Sequence, residues 1–114
     1  MGDDTDFCYL TTRGRITGDA HEIEIWFARD GDTLYLLSGG GERSDWVRNL
    51  RADPAVTVRI GDVTRAARGR VVEAGTAEDG LARRLVFAKY QPRSGGDLGS
   101  WRDTALPVAI ELQS

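Results

Sequence analysis

Polar and apolar residues alternate from His21 through Glu22, Ile23, Glu24 and Ile25, and the apolar run goes on to Trp26 and Phe27. Such a period of two puts Ile23 and Ile25 on one face and Glu22 and Glu24 on the other, predicting a half-buried strand over 21–27. Asp30-Gly31-Asp32 is a turn signal, and Thr33 to Ser38 follows as a second strand, so the two segments predict a hairpin. Upstream, Phe7 to Thr12 is rich in β-formers and leads into the loop Arg13-Gly14-Arg15-Ile16-Thr17-Gly18-Asp19. Downstream, Val56 to Ile60 and Thr64 to Val72 predict two further strands across a Gly61-Asp62 turn, and Pro107 to Leu112 predicts the last one.

Two stretches have helical spacing instead. Ser44 is a suitable N-cap for a segment carrying Trp46, Val47 and Leu50, which Asp53-Pro54 ends. Thr76 opens a second helix in which Leu81, Leu85 and Ala88 form a stripe up to Tyr90. Pro92 to Ser100, with its glycines and serines, predicts a flexible loop. Strands outnumber helices and come as antiparallel hairpins, which predicts a mainly β (α+β) domain, a small closed or split barrel with two flanking helices.

At 114 residues the chain suits one domain over 1–114, with 1–6 as a flexible N-terminus. Its formal charge of −3 gives no overall field favouring nucleic acid or an anionic membrane, so any anion site has to be local. The single cysteine, Cys8, excludes an internal disulfide and suits a reducing, cytoplasmic setting, and no apolar run approaches a membrane span. Beside Phe7 and Tyr9, without a neighbouring histidine, Cys8 reads as a buried inert thiol.

The chemistry that remains is ligand binding. Gly39-Gly40-Gly41 joins a strand to a helix N-terminus, where bare amides and the helix dipole suit an anion, with Arg43 beside them; it reads equally as a flexible connection. Arg13 and Arg15 leave the hairpin and Arg48 the following helix; together they would form an anion clamp, while singly each reads as a solvated arginine. Trp26, Trp46 and Trp101 are potential walls for a flat heteroaromatic ring, although core packing is the commoner fate of tryptophan. His21 could donate a proton, but a lone histidine opening a strand reads more readily as structural or exposed.

Leu10-Thr11-Thr12-Arg13-Gly14-Arg15-Ile16-Thr17-Gly18, Ser38-Gly39-Gly40-Gly41, Trp46 to Pro54 and Ser100 to Pro107 together resemble the deazaflavin-dependent nitroreductase and quinone reductase family. The resemblance implies a split β-barrel of the FMN-binding kind. It also implies a reduced deazaflavin, coenzyme F-420, as hydride donor to a small nitroaromatic, quinone or enone. Carried over by position, Arg15 and Thr17 would contact the phosphate-bearing tail, Ser38, Gly39, Gly40 and Gly41 would cradle it, Trp46 and Asn49 would brace that loop, and Trp26 and Trp101 would line the ring pocket. Ile16 and Gly39 stand where members using the deazaflavin commonly carry lysine, so Arg13 and Arg43 would supply charge in their place. The alternatives are a reductase using FMN and a non-catalytic barrel holding another flat or lipid-like ligand. A homodimer is expected from the resemblance.

Overall fold

In the computed structural model, which describes residues 6–113, seven strands and three α-helices form one curled sheet with helices against it. The strands are β1 (Cys8–Arg13), β2 (Ala20–Ile25), β3 (Ala28–Asp30), β4 (Thr33–Ser38), β5 (Ala55–Ile60), β6 (Val63–Val71) and β7 (Leu106–Leu112). The helices are α1 (Asp45–Ala52), α2 (Ala77–Tyr90) and α3 (Gly99–Thr104). Of the expected loose N-terminus 1–6, all but Asp6 lies outside the described residues.

Neighbouring strands pair antiparallel in the order β2-β1-β5-β6-β7-β4-β3. This order puts β2 and β3, consecutive in the chain, on opposite edges of the sheet. Laid flat, seven strands would separate those edges by about 29 Å, whereas the three Cα steps from Ile25 to Ala28 reach at most about 11 Å. The sheet therefore has to curl until its edges nearly meet, which is a split barrel.

The predicted single strand over 21–27 is accordingly two, broken at Trp26 and Phe27. β2 pairs with β1, and only the short β3 forms the expected hairpin with β4. The break is stabilised from α2. Tyr90 Oη accepts from the Phe27 N–H at 2.9 Å and faces the carbonyls of Phe27 at 2.9 Å and Asp6 at 2.6 Å, while Lys89 Nζ donates to the Phe27 carbonyl at 2.8 Å. A buried backbone that leaves the ladder must find such partners.

Alternation along the strands divides the core in two. Leu10, Leu34, Leu36, Val58, Val108 and Ile110 fill the barrel together with Val47 and Leu50 of α1. Tyr35, Leu37 and Ala109 point the other way, into a cluster with Ala82, Val86 and Tyr90 of α2. β4 thus reads as an unbroken apolar run because both its faces are covered. α1 approaches β6 where Gly69 has no side chain: a Cβ there would lie 2.2 Å from Leu50 Cδ1.

The third helix departs from the loop expected up to Ser100 and from the count of two flanking helices. It has no side-chain N-cap. Arg83 of α2 holds it instead, Nη1 donating to the carbonyls of Arg102 at 2.6 Å and Ala105 at 2.9 Å.

Candidate functional site

The inward-facing rows of β1 and β2 change character along their length. Cross-strand pairing sets Cys8 opposite Ile25, Leu10 opposite Ile23 and Thr12 opposite His21. The first two pairs belong to the barrel interior, with Cys8 and Leu10 fully buried and Ile23 and Ile25 packed against them. Burial pushes the Cys8 thiol up to about 12, so it is an inert apolar group. At the third pair both rows turn polar, and there a cavity of about 680 Å³ opens between the 14–18 hairpin and α1. Thr12, Arg15, Thr17, His21, Trp46 and Asn49 are among its walls.

Asn49 organises this end of the barrel. It is a buried polar residue on α1, held between Val47 and Leu50, which anchor the helix in the core. Its Oδ1 accepts from Arg15 twice, from the backbone N–H at 3.2 Å and from Nη1 at 2.8 Å, and its Nδ2 donates to Thr12 Oγ1 at 3.3 Å. Arg15 Nη2 also reaches Asp45 Oδ1 at 3.4 Å. The guanidinium is thereby fixed on the cavity wall by an amide and an exposed carboxylate, with Nε free of hydrogen bonds among the described residues. A fixed guanidinium recognises oxyanions at a reduced entropy cost.

The remaining candidates take different places. Thr17 Oγ1 accepts from the Asp19 N–H at 3.2 Å and shapes the hairpin. Arg13 Nη1 donates to the Gly18 carbonyl at 2.9 Å, and Arg13 borders a smaller hollow of about 320 Å³ that includes Thr57 and Asp53. Gly39, Gly40 and Gly41 do not line the larger cavity. Their turn is closed inward by Ser38, whose hydroxyl donates to the Gly41 carbonyl at 3.1 Å and shares a 3.0 Å hydrogen bond with Ser44, so Ser44 caps α1 by position without a side-chain bond to its amides. Arg43 is exposed at the end of this turn. Trp26 stacks on Tyr90 with ring centroids 4.3 Å apart and meets Trp101 edge-on at 5.6 Å, and a Cβ at Gly39 would be 3.6 Å from Trp101 Nε1. The tryptophans are therefore divided: Trp46 is on the cavity, Trp26 packs on Tyr90 of α2, and Trp101 of α3 meets Trp26 and lies against Gly39.

His21 is exposed, as its place at the start of a strand suggested, and it borders the cavity, while Thr12 and Gly14 line it without having been singled out as site residues. The signal was present in the alternation: counted back from Ile25 and Ile23, His21 is the next position on that face, paired with a threonine where both rows become polar.

The chain matches the F-420H(2)-dependent quinone reductase family over residues 3–113. It belongs to that family. Solved structures with the same barrel include an F-420-H(2)-dependent reductase, 20% identical over 95% of this chain and 94% of the other, with a TM-score of 0.74. A FAD-binding protein from Mesorhizobium loti is 14% identical over 98% and 82%, with a TM-score of 0.72. The heme storage protein HutZ from Vibrio cholerae is 15% identical over 99% and 85%, with a TM-score of 0.75. At these identities the likeness is one of fold: an F-420-H(2)-dependent reductase, a FAD-binding protein and a heme storage protein share this barrel. The quinone reductase family is the narrower statement, because its match spans nearly the whole chain, including both cavity walls. No helix among the described residues is long and apolar enough to cross a membrane.

The group this family implies is a flat deazaflavin on an anionic tail, and the residues present suit it. The cavity offers the Arg15 guanidinium, held by Asn49 and paired with Asp45, hydroxyls from Thr12 and Thr17 and an indole wall at Trp46, alongside the carboxylates of Asp19, Glu22 and Asp45.

Proposed function

We propose that this protein is a deazaflavin-dependent oxidoreductase that holds coenzyme F-420 in the cavity between the 14–18 hairpin and α1 and reduces a small quinone, nitroaromatic or enone. The observation that carries the reading is Arg15, seated on buried Asn49 at the polar end of two apolar rows, in a chain whose family match covers that whole region. Arg15 binds and orients the anionic tail, assisted by Thr17 and the exposed Arg43. Trp46 gives the tail an apolar neighbour, and the flat ring reaches Trp26 and Trp101, the latter lying against Gly39. The deazaflavin, when bound, supplies the hydride. The side chains contribute position and a fixed electrostatic environment, so no nucleophile is required of them.

The test is binding of F-420 and FMN measured side by side by fluorescence quenching, followed by menadione reduction with the reduced deazaflavin as donor. Tight F-420 binding with menadione turnover is the expected result. FMN binding without F-420 binding would overturn the cofactor assignment. F-420 binding that supports no reduction of menadione or of a nitroaromatic would make the protein a carrier.

A further inference from the structure

The chain has one histidine, and the reading above gives it no part. His21 follows Ile23 and Ile25 on the same face of β2, is exposed at the open end of that row, and lines the same cavity as Arg15. Its imidazole lies close over the hairpin backbone: a Cβ at Gly14 would come within 2.8 Å of His21 Nε2 and 3.0 Å of Cδ2. Glycine at 14 is what lets the ring rest there, next in sequence to the Arg15 amide that Asn49 holds.

The charged groups around this ring come from three elements. The hairpin brings Arg15 and Asp19, α1 brings Asp45, already engaged with Arg15, and β2 itself brings the adjacent Glu22; β1 contributes only the hydroxyl of Thr12. With the imidazole neutral, Arg15 is the cavity's one cation among the lining residues. With it protonated there are two on adjoining walls. Histidine is the side chain that makes this change between pH 5 and 8.

We propose that His21 is the second cation of this site, joining Arg15 around the phosphate ester of an anionic ligand, so that affinity rises as His21 takes up a proton. The proposal rests on the reading of the cavity as the ligand site. It is a linkage: if the bound phosphate favours the imidazolium, protonation favours the phosphate by the same factor.

A single histidine gives a single set of imidazole NMR signals. Its titration is followed with and without inorganic pyrophosphate at matched ionic strength. The midpoint is expected to rise by about one pH unit at saturation, equivalent to a tenfold coupling. In parallel, F-420 affinity is measured at pH 5.5 and 8 for the wild type, His21→Gln and Arg15→Gln. The ligand's own titration is common to all three proteins and cancels in their ratios. Wild type is expected to gain about tenfold at the lower pH over His21→Gln, whereas Arg15→Gln weakens binding at both. An unmoved midpoint in pyrophosphate, or identical pH dependence in wild type and His21→Gln, overturns the proposal while leaving the cofactor reading intact. If F-420 binds none of the proteins, the cofactor reading fails, and the pyrophosphate titration still decides for or against His21.

Discussion

Substitutions at Asn49 separate the stability of the site from its charge. Asn49→Ala removes an acceptor for Arg15 Nη1, an acceptor for the Arg15 N–H and the donor to Oγ1 of Thr12, a residue only 2% exposed. A charge-assisted bond from a half-exposed guanidinium and an unsatisfied buried hydroxyl together cost about 2–3 kcal/mol. For a domain of this size that corresponds to a fall in melting temperature of about 10 °C. Asn49→Asp behaves differently. A carboxylate accepts from Arg15 as the amide does, and the Thr12 hydroxyl can reverse and donate to it. This offsets part of the cost of burying a charge one turn from Asp45, so the melting temperature falls less than in Asn49→Ala. The added negative charge, however, lies beside the proposed oxyanion. At a separation of about 6 Å and an effective dielectric of about 20 the repulsion is about 2.8 kcal/mol, roughly a hundredfold in affinity. The assays are differential scanning fluorimetry and F-420 fluorescence titration on the same preparations. An Asn49→Asp protein that melts above Asn49→Ala and binds F-420 as well as wild type would refute the assignment of this corner to the anion.

Tyr90→Phe leaves the buried Phe27 N–H without its acceptor at the β2–β3 break, and urea unfolding should show a loss of about 2 kcal/mol, a larger effect than an exposed tyrosine would give. The hydrogen bond from Arg70, bidentate at 2.6 and 2.7 Å, holds the Glu78 carboxyl below the ordinary value of 4.5, so its contribution is complete above that value and disappears as pH falls through it toward the depressed one. Denaturation midpoints measured from pH 7 to pH 3 should therefore fall less for Glu78→Gln than for wild type, and parallel curves would contradict this. Gly39→Lys introduces a cation at an exposed position whose φ is not left-handed and whose Cβ would meet Trp101 at an ordinary 3.6 Å, so it should fold normally and tighten F-420 by about tenfold at low salt. No gain would mean that the tail does not pass residues 38–41.

What the sequence disclosed was what neighbouring residues decide. Thr76 was legible as an N-cap because its partner, the Asp79 N–H, is three residues away and bonds it at 3.1 Å. Ser44 was legible as the start of α1 even though its hydroxyl turns to Ser38. The break at Trp26 and Phe27 was not legible, since two large apolar residues after an alternating run look like more strand. What ends the strand is Tyr90, 63 residues further on. The same holds for α3, whose six residues carry no side-chain cap and are held by Arg83 from α2. At the site, Arg15, Thr17, Trp46 and Asn49 were named through the resemblance, and the structure brings them to one cavity with Thr12 and His21. The exposure of His21 was legible, but its place opposite Thr12 at the edge of the cavity was not, because only the register supplies that pairing.

The division of the candidate residues bears on which ligand suits the barrel. One wall, formed by the hairpin and α1, carries the guanidinium, the hydroxyls and Trp46. The other candidate surface is the Trp26 and Trp101 pair, with Trp26 on Tyr90 of α2 and Trp101 of α3 against Gly39. Residues 38–45 border both, because Gly39 stands against Trp101 while Asp45 lines the cavity. A ligand in contact with both walls has to follow this segment, past the turn that Ser38 closes and Arg43 ends. An extended molecule with a charged tail and a flat head can do so, whereas a compact one would engage a single wall. Substitutions on the two walls should then behave differently for the two cofactors. Trp101→Ala and Arg15→Gln should each weaken F-420, and FMN, if it binds, should respond to one of them only.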